Sequence, residues 1–443
     1  MARVSRRKLL RLSGSGAAVV TAGGLAGILA SGRAPAYAQT QTVHWLKWAD
    51  FVPAADEHLR KRAIPEAEKA LGIKINLETI NLNDLTARTT AAIQSKSGPD
   101  IIMATNNFPH IYKGGTADVS ALCEEIGPAQ GGYYPLAKSN CNDGTRWLAV
   151  PYSIVGTLIA YRKSWFDEIG VKTFPTTWEE YRAVGKKLKD AGHPIGQCLG
   201  HTLGDSPAFC YPYLWSFGGQ EVADDGKTVV LNSKETIESV KFMTGFWRDA
   251  HDEGGLAWDD ASNNRALLSG TIAATLNGAS IYIEALRKPT QYLTDSGKPM
   301  KDDILHAPLP RGLAGQFSWP PAQAMMVMGY SPNQKAAMDF LRWFHTPANY
   351  EQWFTVLKGF ACGPTKVWES SKMWDNDPVM TPYRAAAATA GRTPGFAGPA
   401  SQKAAEALNK YILVDMYAKA VQGMAAEDAV AWAEGELKKV YSV

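Results

Sequence analysis

Residues 70–104, ALGIKINLETINLNDLTARTTAAIQSKSGPDIIMA, set the architecture of the chain around them. Ile73-Lys74-Ile75-Asn76-Leu77-Glu78-Thr79 alternates apolar and polar side chains, the period of a strand with one buried face. Asp84 to Lys96 follows as a helix, and Gly98-Pro99 precedes the apolar strand Asp100 to Ala104. Strand, helix and strand in succession are the alternation of an α/β architecture. Upstream, Thr42 to Ala49 reads as a strand. Leu59, Ala63, Ala67 and Leu71 mark one face of a helix that Gly72 stops. Downstream, Trp147 to Arg162 reads as two extended segments. Thr177 with Glu180, and Asn232 with Glu235, make capping boxes for two helices. The second of these presents Ile237, Val240, Met243 and Trp247 on one side. Thr271 to Leu276 is a buried strand ending at Asn277-Gly278. Ser331-Pro332-Asn333-Gln334 opens a helix with a cap and a first-position proline, and helices dominate from there to the end.

The N-terminus has a different character. Ser5-Arg6-Arg7-Lys8-Leu9-Leu10, a weakly apolar run from Ala17 to Ala30 and the small-x-small site Ala36-Tyr37-Ala38 read as an export leader of the twin-arginine kind. The run is too short to span a bilayer core of about 30 Å as a helix. Cleavage after Ala38 leaves Gln39–Val443, 405 residues, too long for one core and suited to two domains. The leader carries six of the 46 basic residues and no acid, so 40 bases face 43 acids in the remainder, a net charge of −3. The basic balance belongs to the leader and makes no case for nucleic acid. No cysteine precedes Cys123, so no lipidated cysteine stands at the processing site.

The five cysteines form no Cys-x-x-Cys pair. In an oxidising compartment Cys123–Cys141 and Cys198–Cys210 could each close a surface loop; equally, all five could be small buried hydrophobes. No metal-ligand histidine pattern, dinucleotide fingerprint, phosphate-binding loop or nucleophile elbow occurs in the mature chain. The reading therefore names no cofactor, no metal and no catalytic residue. Glu124-Glu125 and Asp259-Asp260 are adjacent acids of the kind found on solvated faces.

The positive signal is aromatic: 14 Trp, 17 Tyr and 14 Phe, many of them at strand ends or in loops. A sugar ring has apolar C–H faces and a rim of hydroxyls, and suits flat aromatic faces with amides and a carboxylate at the rim. In open α/β sheets ligands collect at the carboxyl ends of strands. Trp48, Asp50, Asn106, Asn107 and Asn277 all occupy that position. Tyr152 follows Pro151, Trp215 precedes Gly218-Gly219, and Trp319 lies in a proline-flanked loop.

The ordered motifs resemble one known family. Gly98-Pro99-Asp100-Ile101-Ile102 with Gly114-Gly115-Thr116-Ala117-Asp118-Val119 is similar to a block of the extracellular solute-binding proteins of the maltose-binding type. So are Trp147 to Tyr152 with Leu158 to Lys163, Pro175-Thr176-Thr177-Trp178-Glu179-Glu180, Leu268 to Ala274, and Ser331 to Phe344. The resemblance implies two α/β lobes, each a central sheet flanked by helices, joined by three crossing segments near Pro151–Ser153, His306–Pro308 and His345–Pro347. It places the leader at 1–38, an N-lobe at 39–152 and 308–345, and a C-lobe with the C-terminal helices at 153–307 and 346–443. It implies a periplasmic component of an ABC importer that closes over a neutral sugar, small oligosaccharide or polyol and hands it to a membrane permease. The leader adds the Tat translocase and signal peptidase as partners, with Arg6, Arg7, Ala36 and Ala38 as their signals. Val155, Ser280 and Ala104 or Thr105 stand where the maltose type carries a Glu and two Trp, so a different platform is needed. Trp48, Trp215 and Trp319 are the candidates, with Phe396 of the Gly-Phe-Ala-Gly loop beside them. Two other readings remain: the same fold binding a charged solute (a phosphorylated polyol, opine or polyamine), and an exported hydrolase with two carboxylates within about 10 Å in the cleft.

Overall fold

Two sheets organise the chain in the computed structural model, which describes residues 41–389 and 391–442. The expected leader, with Arg6, Arg7, Ala36 and Ala38, lies outside the described residues. The first sheet has the order β2-β1-β3-β8-β4. β1 (Thr42–Trp48) lies parallel to β2 (Lys74–Ile80) and to β3 (Ile101–Thr105). The alternation seen from Ile73 to Thr79 has its cause in this edge position: Ile75 and Leu77 are buried and Lys74 and Asn76 exposed. β3, in the middle, is buried along its whole length, which is why it reads as an unbroken apolar run.

The helical stretch between β1 and β2 runs from Pro53 to Leu71 with one π-type turn at Leu59–Ala63. Gly72 ends it at φ +68°, the left-handed conformation that glycine adopts without strain. Leu85–Ser95 makes the connection to β3.

After β4 (Val150–Ile154) the chain leaves this sheet. β5 (Leu158–Arg162), β6 (Ala274–Asn277) and β7 (Ile304–Ala307) form a second, antiparallel sheet in the order β6-β5-β7. The chain then returns as β8 (Ala322–Val327), antiparallel to both β3 and β4. Helices surround the second sheet. Lys234–Ala250 packs on Trp178–Asp190, and on the C-terminal pair Ile412–Val421 and Ala426–Tyr441. Helix Pro347–Val356 packs against Pro53–His58. Among the described residues no helix is long and apolar enough to cross a membrane.

The Thr177–Glu180 capping box forms as its spacing requires. The other two helix starts shift by a residue or more. Ser233, not Asn232, accepts the Thr236 N–H, and Asn232 instead donates to Glu434. Ser331 accepts from Asn333 N, and the helix begins only at Gln334, leaving Pro332 outside it. All five cysteines are free and buried, so the pairings Cys123–Cys141 and Cys198–Cys210 do not form. The physical reason is their location: each is a small apolar side chain within the packed interior, and none lies on an exposed loop.

One buried ion pair joins β5 to the β7 segment. Arg162, at the end of β5, donates from Nε to Asp303 at 2.6 Å, and Asp303 also accepts from Ser164 N and Oγ. Removing one partner of such a pair strands a charge in the interior. Asp303→Ala should therefore lower the unfolding free energy by about 3–5 kcal/mol, read as a fall in the urea midpoint. An unchanged midpoint would show that the pair carries no stability.

Candidate functional site

A narrow cavity opens between the two sheets. Trp48 at the end of β1, Phe51 just after it, Thr105 at the end of β3 and Pro321 just before β8 contribute from the first sheet. From the second side come Val155 and Thr157 in the crossing, Leu203 to Asp205, Asp260, and Asn277 with Ser280 at the end of β6. Phe360, in the turn after Pro347–Val356, closes the aromatic wall. Its ring lies 6.2 Å from that of Phe51, which in turn stands edge-on to Trp48 at 5.7 Å.

Two carboxylates line the same cavity. Asp205 opens the helix Asp205–Phe217, of which every residue but Phe217 is buried. Asp260 sits over that helix start, accepting the N–H groups of Gly204 at 3.2 Å and Asp205 at 2.7 Å. An acceptor there satisfies main-chain donors and meets the positive end of the helix dipole. A side chain on Gly204 would place its Cβ 2.8 Å from an Asp260 oxygen, so only glycine admits this approach. Asp205 Oδ2 accepts from Asn263 Nδ2 at 2.6 Å and from Asn277 Nδ2 at 3.4 Å. Asn277 continues the network: its Nδ2 donates to Asn264 at 2.6 Å, and its Oδ1 accepts from Ser280 at 2.9 Å. Burial pushes the Asp205 carboxyl well above the usual range, and the neighbouring Asp260 adds to this. Burial raises Asp260 as well.

Of the residues singled out in the sequence, Trp48 and Asn277 line this cavity. Asn106 lies directly behind Thr105 at φ +55°, donating to Leu203 O at 3.3 Å across to the second side. Asn107 is buried beside it. Asp50 stays behind Trp48, accepting from Val52 N and facing Lys47 Nζ at 3.8 Å, with burial raising its carboxyl. Tyr152 belongs to the core, stacked on Phe344 at 5.6 Å and packed on Trp353 at 4.6 Å. Asp260 departs from its reading as a solvated acid: Asp259 takes the exposed position and turns its neighbour inward. Asp205, Thr157 and Phe360 carry no such ligand signal in the sequence reading. An Asp directly before Ser206-Pro207 marks a helix start, and that was the available signal for Asp205.

Trp215, Trp319 and Phe396 come together elsewhere. Trp215 and Trp319 are completely enclosed around Tyr211, with ring centroids 5.9 and 5.6 Å from it, and Phe396 lies 6.3 Å from Trp215. None of the three lines the cavity described above. Tyr211 donates to Glu221 at 3.3 Å, and Glu221 also accepts the Gly395 N–H. Burial pushes the Glu221 carboxyl up to about 7 from its ordinary 4.5. Between those values the folded state holds a proton that the unfolded chain has lost, so stability falls as pH rises through this window. Glu221→Gln should remove that fall, on the order of 3 kcal/mol, in unfolding curves taken between about pH 4.5 and 7. Trp215→Ala should cost about 3–5 kcal/mol of stability, measured by denaturant unfolding, because it empties an enclosed position.

A family model described as bacterial extracellular solute-binding protein matches residues 62–382. The diacetylchitobiose-binding protein DasA of Streptomyces coelicolor is 30% identical over 168 residues, 36% of each chain. A probable ABC transporter-binding protein of Deinococcus radiodurans is 21% identical over 222 residues, 48% of this chain and 50% of its own. The matched stretch thus spans half or less of these relatives. Among solved structures, maltose-bound MalE3 of T. maritima superposes with a TM-score of 0.75 at 19% identity, covering 90% of this chain and all of its own. A solute-binding protein of Thermotoga lettingae bound to α-D-tagatose gives 0.75 at 17%, covering 91% and 99%. One of Agrobacterium radiobacter K84 with ribitol gives 0.71 at 18%, covering 90% and 98%. The fold is the two-lobed α/β fold expected from the sequence.

Proposed function

Because the chain belongs to the bacterial extracellular solute-binding protein family, we propose that it is the capture component of an ABC importer and holds a sugar or polyol between two α/β lobes. One observation carries the reading. The cavity between the sheets sets the rings of Trp48, Phe51 and Phe360 against Asp205, Asn277 and Ser280. Rings suit the C–H faces of a polyhydroxylated ligand, and carboxylate, amide and hydroxyl groups suit its rim. The ligands named for the related proteins (diacetylchitobiose, maltose, α-D-tagatose and ribitol) belong to this chemical class.

Among the described residues no Lys or Arg lines the cavity, so a phosphorylated polyol would meet two carboxylates there. In this reading the protein performs no chemistry. Asp205 and Asp260 would supply the two carboxylates of the hydrolase alternative, and turnover of a glycoside by the purified protein would favour it over this reading.

The lobes divide along the sheets, with crossings between β4 and β5 and between β7 and β8, and a third near His345–Pro347. Ligand contacts from both sides would be complete only when the lobes are closed, so binding favours closure. The twin-arginine leader would deliver the folded chain to the periplasm, where signal peptidase removes it and a membrane permease receives the closed form.

A thermal-shift screen of residues 39–443 against sugars, polyols, amino acids and polyamines tests the reading. A sugar or polyol at 100 times its Kd should stabilise the fold by about 2.7 kcal/mol. Phe51→Ala removes a half-buried cavity ring and should weaken that ligand about tenfold, a loss of about 1.4 kcal/mol, while changing the unliganded melting temperature little. A panel in which no sugar or polyol raises the melting temperature would overturn the proposal.

A further inference from the structure

The cavity holds two acids and no cation to meet them. Asp205 and Asp260 are 7% and 8% exposed, and both line it. Their polar partners are neutral donors: Asn263 and Asn277 for Asp205, and the main-chain N–H groups of Gly204 and Asp205 for Asp260. The other titratable groups close enough to act on the pair bring no positive charge. Asp259 adds a further acid; Cys198, Tyr383 and Tyr411 are neutral when protonated. Among the described residues no Lys, Arg or His lines the cavity.

An independent observation marks the space as a ligand site. Thr157 is 4% exposed and lines the same cavity, yet its Oγ1 has no hydrogen-bond partner among the described residues. A buried hydroxyl left without a partner is costly, and a polar guest would supply one.

Two neighbouring carboxylates removed from water cannot both ionise cheaply; they share a proton or admit a positive guest. An ammonium group brings three N–H donors and a full charge. It is also attracted to the faces of aromatic rings, and Trp48, Phe51 and Phe360 line the same cavity. A neutral hydroxyl offers a single donor and leaves the charge unmet.

We propose that the sugar or polyol bound here carries a primary ammonium group seated at Asp205 and Asp260, with its carbon frame against Trp48, Phe51 and Phe360: an amino sugar or amino polyol. The inference rests on the sugar-or-polyol reading above and narrows it.

Matched pairs separate the two claims. Calorimetric titration near neutral pH would compare D-glucosamine with D-glucose and N-acetyl-D-glucosamine, and 1-amino-1-deoxysorbitol with sorbitol; putrescine serves as an amine without hydroxyls. The amine member of at least one set should bind about tenfold or more tighter than its neutral counterparts. Asp205→Asn, which keeps the side-chain shape, should abolish that preference while the unliganded protein still melts cooperatively. Neutral members binding as tightly as their amines would overturn the ammonium assignment and leave the sugar-or-polyol reading standing. Binding of putrescine alone would overturn both. Since the matched-pair comparison uses the unaltered protein, it decides the question even if Asp205→Asn fails to fold.

Discussion

β8 is the constraint on which the rest of the molecule depends. It enters the first sheet antiparallel between β3 and β4, although it lies far beyond both in the chain. All six of its residues are buried, and without it β4 has no partner in the sheet. Everything between β4 and β8 must therefore be an excursion that leaves and returns at the same end of the sheet. That end is also where β1 and β3 finish, because parallel strands present their carboxyl ends together. Val155 N bonding to Pro321 O ties departure to return, and Asn106 N bonding to Ala322 O ties the end of β3 to the same point. The cavity lies at this meeting point, walled by the excursion on one side and by the strand ends on the other.

The excursion is organised by a helix that has almost no surface of its own. Asp205–Phe217 carries Tyr211, Tyr213 and Trp215 in the interior of the second side, so its orientation is set all round. Its first turn is consequently held firmly at the cavity. Asp260 serves twice there: it caps the helix through two N–H groups, and it adds a second charge beside Asp205. Three largely enclosed histidines follow the opposite logic. His251, His306 and His345 are pushed by burial down to about 3, 4 and 4, and remain neutral packing groups near neutral pH. The charged character of the cavity thus comes from its acids alone.

The aromatic side chains divide by role in a way that composition conceals. Trp48, Phe51 and Phe360 face the cavity, whereas Trp215 and Trp319 are enclosed with Tyr211, and Tyr152 is stacked on Phe344. A loop position beside glycine or proline makes a Trp look available, yet a large ring in a loop is as readily a plug that the interior closes over. Arg392, held between Phe317 and Phe396 at 3.9 and 4.0 Å, shows the same packing at the rim of that cluster.

The chain by itself determined the α/β class, the first three strands to within a residue or two, the Thr177 cap and the order of motifs that marks the family, since each depends on local periodicity and turn chemistry. It also placed Trp48 and Asn277 correctly at strand ends beside the cavity. Only the tertiary structure decided the rest. That the cysteines stay apart, that Trp215 and Trp319 turn inward, and that Asp205 meets Asp260 are outcomes of packing between segments far apart in the chain. Asp260 reads like any other loop acid until the helix that needs its oxygens arrives from Gly204. Contacts of that kind leave no periodic trace, because neither partner's neighbours in sequence encode where the other will be.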